Sequence, residues 1–328
     1  MRRLSSTGLL LLAVVVNGPS GFAQQPANIF RIGFLGPPAS PPATSQLDVL
    51  RNALAALGYE EGRNITIVSR WPEANHLDQL PAAAAALVST RPNVLVAVGA
   101  TAARAAKEAT SELPIVFAGV VDPVAAGLVS NLVKPGENLT GATTFDPEQA
   151  RRQLEILKQA LPGLTRVALL GDSGAAQSMF RVNEEASRAL GLESLIFKVE
   201  RGGANPDFEG VFAKAKQEGV GAVVVLSTPV TTPNRHRIAE AAIKYRIAAL
   251  SPREHADSGA LISFGTGFSE ATRAVATQVD NILKGAKAGQ LSVETVKRHE
   301  FVLNLKTARQ MGMTLPPDLL RSATHLID

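Results

Sequence analysis

The chain has 328 residues, 45% of them hydrophobic and 19% charged, with 33 Lys and Arg against 29 Asp and Glu. That balance excludes a disordered chain and leaves room for two domains of ordinary size. The net charge is only +4, the basic residues never run longer than two, and there is no cysteine. Nucleic acid therefore has no electrostatic footprint here, and disulfides, thiolate metal sites, cysteine nucleophiles and lipid attachment through cysteine are excluded.

The first residues, MRRLSSTGLLLLAVVVNGPSGFAQQ, set Arg2 and Arg3 before an apolar core from Leu9 to Val16 and close on Gly21-Phe22-Ala23. The pattern predicts a secretory signal peptide over 1–23, cleaved after Ala23, and a protein exported to a bacterial periplasm. The apolar run is too short to span a membrane. From Phe30 onward short β-rich runs alternate with helical ones. FRIGFLG reads as a strand and SQLDVLRNALAALG as an amphipathic helix ending at Gly58. NITIVSRW is the next strand, LPAAAAALVST a helix, NVLVAVG a strand, then another helix and the strand IVFAGV. This order predicts a parallel sheet covered by helices.

After NLTGATTF the pattern restarts. RVALLG (166–171) parallels RIGFLG (31–36), and EASRALG (185–191) parallels NALAALG (52–58). GAVVVLST (221–228) parallels NVLVAVGAT (93–101), and YRIAALSP (245–252) parallels LPIVFAGV (113–120). A shared order at offsets of about 130 residues predicts two similar α/β lobes rather than a solenoid. The first lobe is expected over 24–143 and the second over 144–262. Residues 263–295 return to the first lobe, and 296–328 cross back and form the tail. The crossings fall in TGATTF (140–145), ALISFGTG (260–267) and AGQLSVETVKRHEFVLN (288–304), which together would make a hinge.

Chemistry is sparse. His76, His236, His255, His299 and His325 lack metal-ligand spacing, so no metal site is expected. GDSG at 171–174 is similar to a serine-protease nucleophile segment, but it closes a parallel strand and no His-Asp order supports a triad. There is no P-loop and no GxGxxG, so no nucleotide cofactor is expected. Small, polar or charged residues recur instead just past the strand ends: Gly36-Pro37, Trp71, Gly99-Ala100-Thr101, Asp122, Asp172-Ser173, Ser227-Thr228 and Arg253. In open parallel sheets this edge binds ligands.

Each position has two readings. Helix starts at Ala100–Thr101 and Thr228 would offer free N–H groups to a carboxylate; alternatively, Gly99 serves a tight turn and Thr101 a cap. Asp122 would hold an ammonium, or cap a helix over PVAAGLVSNLV. Arg253 would clamp a carboxylate, or pair with Glu254 or Asp257. Trp71 would stack on a flat ligand, or fill the edge of the core.

The segments RIGFLG, AALGYEEGRNI, LVAVGATAARAAKEAT, PIVFAGVVDPVAAGLV, PGENLTG, LEILKQALPGLTRVALL and NLKTARQMGMTLPPDLLRSA follow one another as in a known family. The chain resembles, over about residues 30 to 328, the extracytoplasmic solute-binding proteins of ABC transporters, in the branch similar to tryptophan- and tyrosine-type binding proteins. The resemblance implies a type-I periplasmic binding fold: two Rossmann-like lobes with parallel sheets on a three-segment hinge, a small solute closed between them. It implies that Gly99-Ala100-Thr101, Asp122-Pro123 and Ser227-Thr228 face the cleft. Two departures stand on the ligand side of lobe two. Gly171-Asp172-Ser173 replaces the Asn-Pro of many relatives, and LSPREHADSG stands where many carry aromatics.

The expectation is a monomeric, periplasmic, non-enzymatic binding protein for a small carboxylate-bearing, amino-acid-like solute, with an ABC permease and its ATPase as partner. A periplasmic sensor for a receptor or histidine kinase and a cleft enzyme are the alternatives. The signal peptide and the absence of a helix-turn-helix before Phe30 exclude a DNA-binding repressor of similar fold.

Overall fold

The computed structural model describes residues 29–36, 43–73, 76–144, 146–200 and 205–328; the expected signal peptide and Pro37 lie outside them. The first half runs β1 (Phe30–Leu35), α1 (Ala43–Ala56), β2 (Ile65–Arg70), α2 (Leu80–Ser89), β3 (Val94–Val98), α3 (Ala100–Ala109), β4 (Ile115–Val120) and β5 (Leu139–Thr143). The second runs α4 (Pro147–Ala160), β6 (Arg166–Asp172), α5 (Gln177–Ala189), β7 (Glu193–Val199), α6 (Phe208–Gln217), β8 (Ala222–Val225), α7 (Arg235–Tyr245), β9 (Ala248–Ser251) and β10 (Ile262–Gly265). The remainder is α8 (Phe268–Leu283), β11 (Glu294–Thr295), β12 (Glu300–Asn304), α9 (Leu305–Met311), α10 (Pro317–Ser322) and β13 (His325–Ile327).

The strands form two sheets, ordered β11-β5-β4-β3-β1-β2 and β13-β12-β10-β9-β8-β6-β7. Within them β5-β4-β3-β1-β2 and β10-β9-β8-β6-β7 share one winding, each with its order reversal at the first strand. Pairing is parallel throughout the first sheet. The second is not uniformly parallel as expected, because β12 lies antiparallel to β10 and pairs β13 on its other edge.

The continuous apolar strands follow from burial on both faces. Val94, Val96 and Val98 pack with α1 and α8, whereas Leu95 and Ala97 pack with α2 and α3. In the second sheet Val167 and Leu169 meet α4, α5, α9 and α10; Ala168 and Leu170 meet α6 and α7.

The chain passes between the sheets three times: after β5, after β10 and between β11 and β12. The second sheet holds the chain through Gly265, past the 262 boundary expected for lobe two. α8 then docks on the first sheet through Ala271, Val275 and Val279. Gln278 Nε2 donates to Gly141 O at 2.9 Å, and Tyr59 Oη donates to Asp280 Oδ1 at 2.8 Å. Burial, then this hydrogen bond, pushes the Tyr59 phenol up to about 12.

The helix over PVAAGLVSNLV, offered as the alternative role for Asp122, does not form; the segment is a run of turns and bends. Gly127 sits at φ 68°, and Asn131 Oδ1 accepts from the backbone of Val133 and Lys134. Such local side-chain bonds compete with helix formation.

Candidate functional site

A cavity opens at the C-terminal ends of the second sheet's strands, beside the crossings. Its walls are Val225, Leu226 and Ser227 at the end of β8, and Pro252, Arg253 and Glu254 after β9. Phe264, Gly265 and Thr266 come from the end of β10. α4 contributes Gln149, Ala150 and Gln153, α5 contributes Met179, Val182 and Asn183, and Thr144 and Asp146 come from the first crossing. Val121 reaches it from the first lobe. The β4–β5 register shifts between Ala118 and Val120, around Gly119 at φ 68°, and such an irregularity re-aims the residues that follow.

Of the strand-end residues singled out from sequence, Ser227 and Arg253 lie on this wall. Asp122 adjoins Val121, but its carboxylate is engaged: Oδ1 accepts from Ala125 N at 2.9 Å and Oδ2 from the Ser178 hydroxyl at 2.7 Å. The first bond caps a turn rather than a helix, and the second crosses from lobe one to α5 of lobe two. Pro123 is buried behind it, its carbonyl accepting from Leu128 N at 2.9 Å. Arg253 pairs through Nε with Glu300 of β12, a partner neither of the expected acids supplied.

The remaining candidates lie off the wall. Gly99, at φ 85°, is the N-cap of α3, and Ala100 and Thr101 are half-buried in its first turn. Thr101 therefore does not cap this helix. Trp71 packs on Phe34 with ring centroids 5.9 Å apart, and its indole covers buried Gly36 so closely that a Cβ there would fall 2.0 Å from Nε1. This is the core-edge role, and the close fit explains the glycine.

Asp172 is buried at the end of β6, its Oδ1 accepting from Gly174 N at 2.8 Å; Ser173 is exposed. Thr228 does not start a helix. Its hydroxyl and that of Thr231 bond reciprocally to backbone N–H groups, and α7 begins only at Arg235. Pro229 and Pro233 in this stretch disfavour an earlier helix.

The cavity's amide side chains were missed from sequence. Gln153 is buried and donates through Nε2 to Phe264 O at 3.0 Å. Asn183 is 6% exposed, with Nδ2 donating to Met179 O at 2.9 Å. In an amphipathic pattern such residues read as solvent-facing, and no local signal separates them from their exposed neighbours.

Behind Arg253 the chain makes a 3-10 turn, Arg253–Ser258, which buries His255 completely, with neither ring nitrogen bonded among the described residues. Burial, then the positive charge of Arg235 and of His236, pushes its pKa down to about 3. Below pH ~6.5 the unfolded chain takes up a proton that the folded chain refuses, so stability is full above that pH and falls toward pH 3. His255→Phe is expected to flatten the fall in melting temperature between pH 6.5 and 5; thermal melts across that range measure it, and an unchanged slope refutes the assignment.

Comparison with known proteins adds lineage to this geometry. The family described as ABC transporter substrate binding protein matches residues 39–327. A tyrosine-binding protein of Clostridioides difficile is 26% identical over 265 residues, 80% of this chain and 74% of that one. A conserved domain protein from Vibrio cholerae has a solved structure that superposes with TM-score 0.83 at 24% identity, covering 91% of this chain and all of that one. An ABC domain from Streptococcus pneumoniae, solved with L-Trp, superposes with TM-score 0.79 at 23% identity, over 92% of this chain and all of that one. The doubly repeated winding is accordingly the type-I periplasmic-binding fold. With nearly the whole described chain inside the family match, the protein belongs to the ABC transporter substrate binding protein family.

Proposed function

We propose that the protein is the exported, periplasmic solute-capturing component of an ABC importer, working as a monomer. It would close its lobes on a small carboxylate-bearing, amino-acid-like molecule and present the closed form to a membrane permease and its ATPase. No bond is made or broken; ligand binding shifts an open–closed equilibrium by contacting both lobes. The observation that carries this reading is the cavity itself. It sits at the strand tips of lobe two against the crossings, with Val121 of lobe one on its wall and the Asp122–Ser178 bond joining the lobes beside it.

Arg253 and Ser227 are the carboxylate side of the site. The Arg253 guanidinium is held through Nε by Glu300, which pre-sets it to meet a second acid. The curated relative named for tyrosine and the structural neighbour solved with L-Trp support an amino acid, and a neighbour solved with benzoate supports aromatic acids as the wider class. A thermal-shift panel of L-tyrosine, L-tryptophan, benzoate and 4-hydroxybenzoate tests this. A ligand at 100 times its Kd should stabilise the fold by about 2.7 kcal/mol. The gain should shrink strongly in Arg253→Gln. A flat response to the panel and to the common amino acids would overturn the reading.

A further inference from the structure

Two buried acceptors on the cavity wall have no donor. Asn183 Oδ1 and Gln149 Oε1 are both sealed from solvent and unpartnered among the described residues. The orientation of Asn183 is set by its own helix. Nδ2 donates to Met179 O one turn back, and a flipped amide would bring two oxygens together. Gln149 lies against Gly265, where a Cβ would come within 3.1 Å of its amide nitrogen, so the glycine makes room for this side chain. The neighbouring Gln153 differs, because its amide is spent on Phe264 O.

Buried polar atoms almost always find partners, and a lone acceptor destabilises the empty protein. Two beside one cavity would be satisfied by small turns of these amides toward donors that arrive with the ligand. Asp122, the acid the sequence offered for an ammonium, has both oxygens occupied. We infer that Gln149 and Asn183 are the specificity-determining acceptors of the cavity. They select a solute that bears N–H or O–H donors, an amino or hydroxy acid, over the bare carboxylate of the same skeleton. The inference rests on the binding role proposed above and names the groups that would recognise the donor-bearing part of the solute.

Matched probes test it: L-phenylalanine against 3-phenylpropionate, L-tryptophan against indole-3-propionate, and 4-hydroxybenzoate against benzoate. Wild type should favour the donor-bearing member of at least one pair by ~10-fold or more, since a site built to hydrogen-bond rejects the analogue that cannot. Gln149→Met and Asn183→Leu should erase that ratio, chiefly by weakening the donor-bearing member. Gln149→Glu, which keeps an acceptor oxygen, should retain it. Equal binding of both members by wild type, or a ratio that survives in both apolar variants, overturns the inference.

The ligand-free melting temperature provides an independent arm. Gln149→Met should melt at or above wild type because it removes an unpaired acceptor; a clear drop would make the amide structural and sink the inference. Should wild type bind none of these probes and none of the common amino acids, the proposed function fails on that result, and the melting arm still decides whether the acceptors are unpaired in the folded protein.

Discussion

Asp122→Ala is expected to weaken solute binding by at least ~10-fold, about 1.4 kcal/mol. The carboxylate reaches from lobe one to the first turn of α5, where Ser178 donates to it at 2.7 Å. That position also meets the positive end of a 13-residue helix, which stabilises an anion. A hydrogen bond to a charged group is worth roughly 1.5–3 kcal/mol, so its loss moves an open–closed equilibrium by about 10- to 100-fold. If the solute needs the joined lobes, its apparent affinity falls with the population that can bind it. Calorimetry should show the weaker binding, and small-angle scattering of the ligand-free protein a larger radius of gyration. Ser178→Ala should act in the same direction. Thr101→Val, off the cavity wall, should add little to Asp122→Ala. Unchanged affinity and dimensions in Asp122→Ala would remove the cross-lobe bond from closure.

Gly141→Ala should cost about 3 kcal/mol of stability, lowering the melting temperature by roughly 5 °C. Gly141 is central in β5, and a Cβ there would lie 2.2 Å from Phe117 O and 2.5 Å from the Phe117 ring. The ring is fully buried, and the oxygen belongs to the paired strand β4, so neither can step aside cheaply. The strain would spread along β5 to Gly141 O, which accepts the Gln278 bond that anchors α8. A variant that melts with wild type would mean the two strands separate more easily than this packing implies.

Local residue patterns carried much of this architecture. The strand length and valine content of Val94–Val98 mark a strand buried on both sides, and the break at Gly99 marks the turn that its φ of 85° requires. The second pass through the same order of runs announced a second sheet, and the paired windings agree with it. Strand direction is different. Nothing in EFVLN distinguishes a parallel from an antiparallel neighbour, and β12 takes its direction from the crossing that delivers it.

The same limit governs the site. Ser227 and Arg253 were legible because strand ends are marked locally, by an apolar run giving way to polar residues. Gln149 and Asn183 become wall residues only when α4 and α5 are brought against the end of β10, a contact between segments far apart in the chain. Asp122 was visible as an acid at a strand end, but Ser178, 56 residues on, was not visible as its partner. The turn at Thr228 misled because two threonines bonding each other's backbone look, residue by residue, like a helix cap.

The chain passes from one lobe to the other three times, and this restricts how the halves can travel. Two bodies on a single tether can swivel, slide and tumble; on three straps set side by side they keep one easy freedom, a swing about the line through the straps. If solute capture closes the lobes as proposed, opening and closing would follow one repeatable arc, and tips that part on release would meet again in the same register.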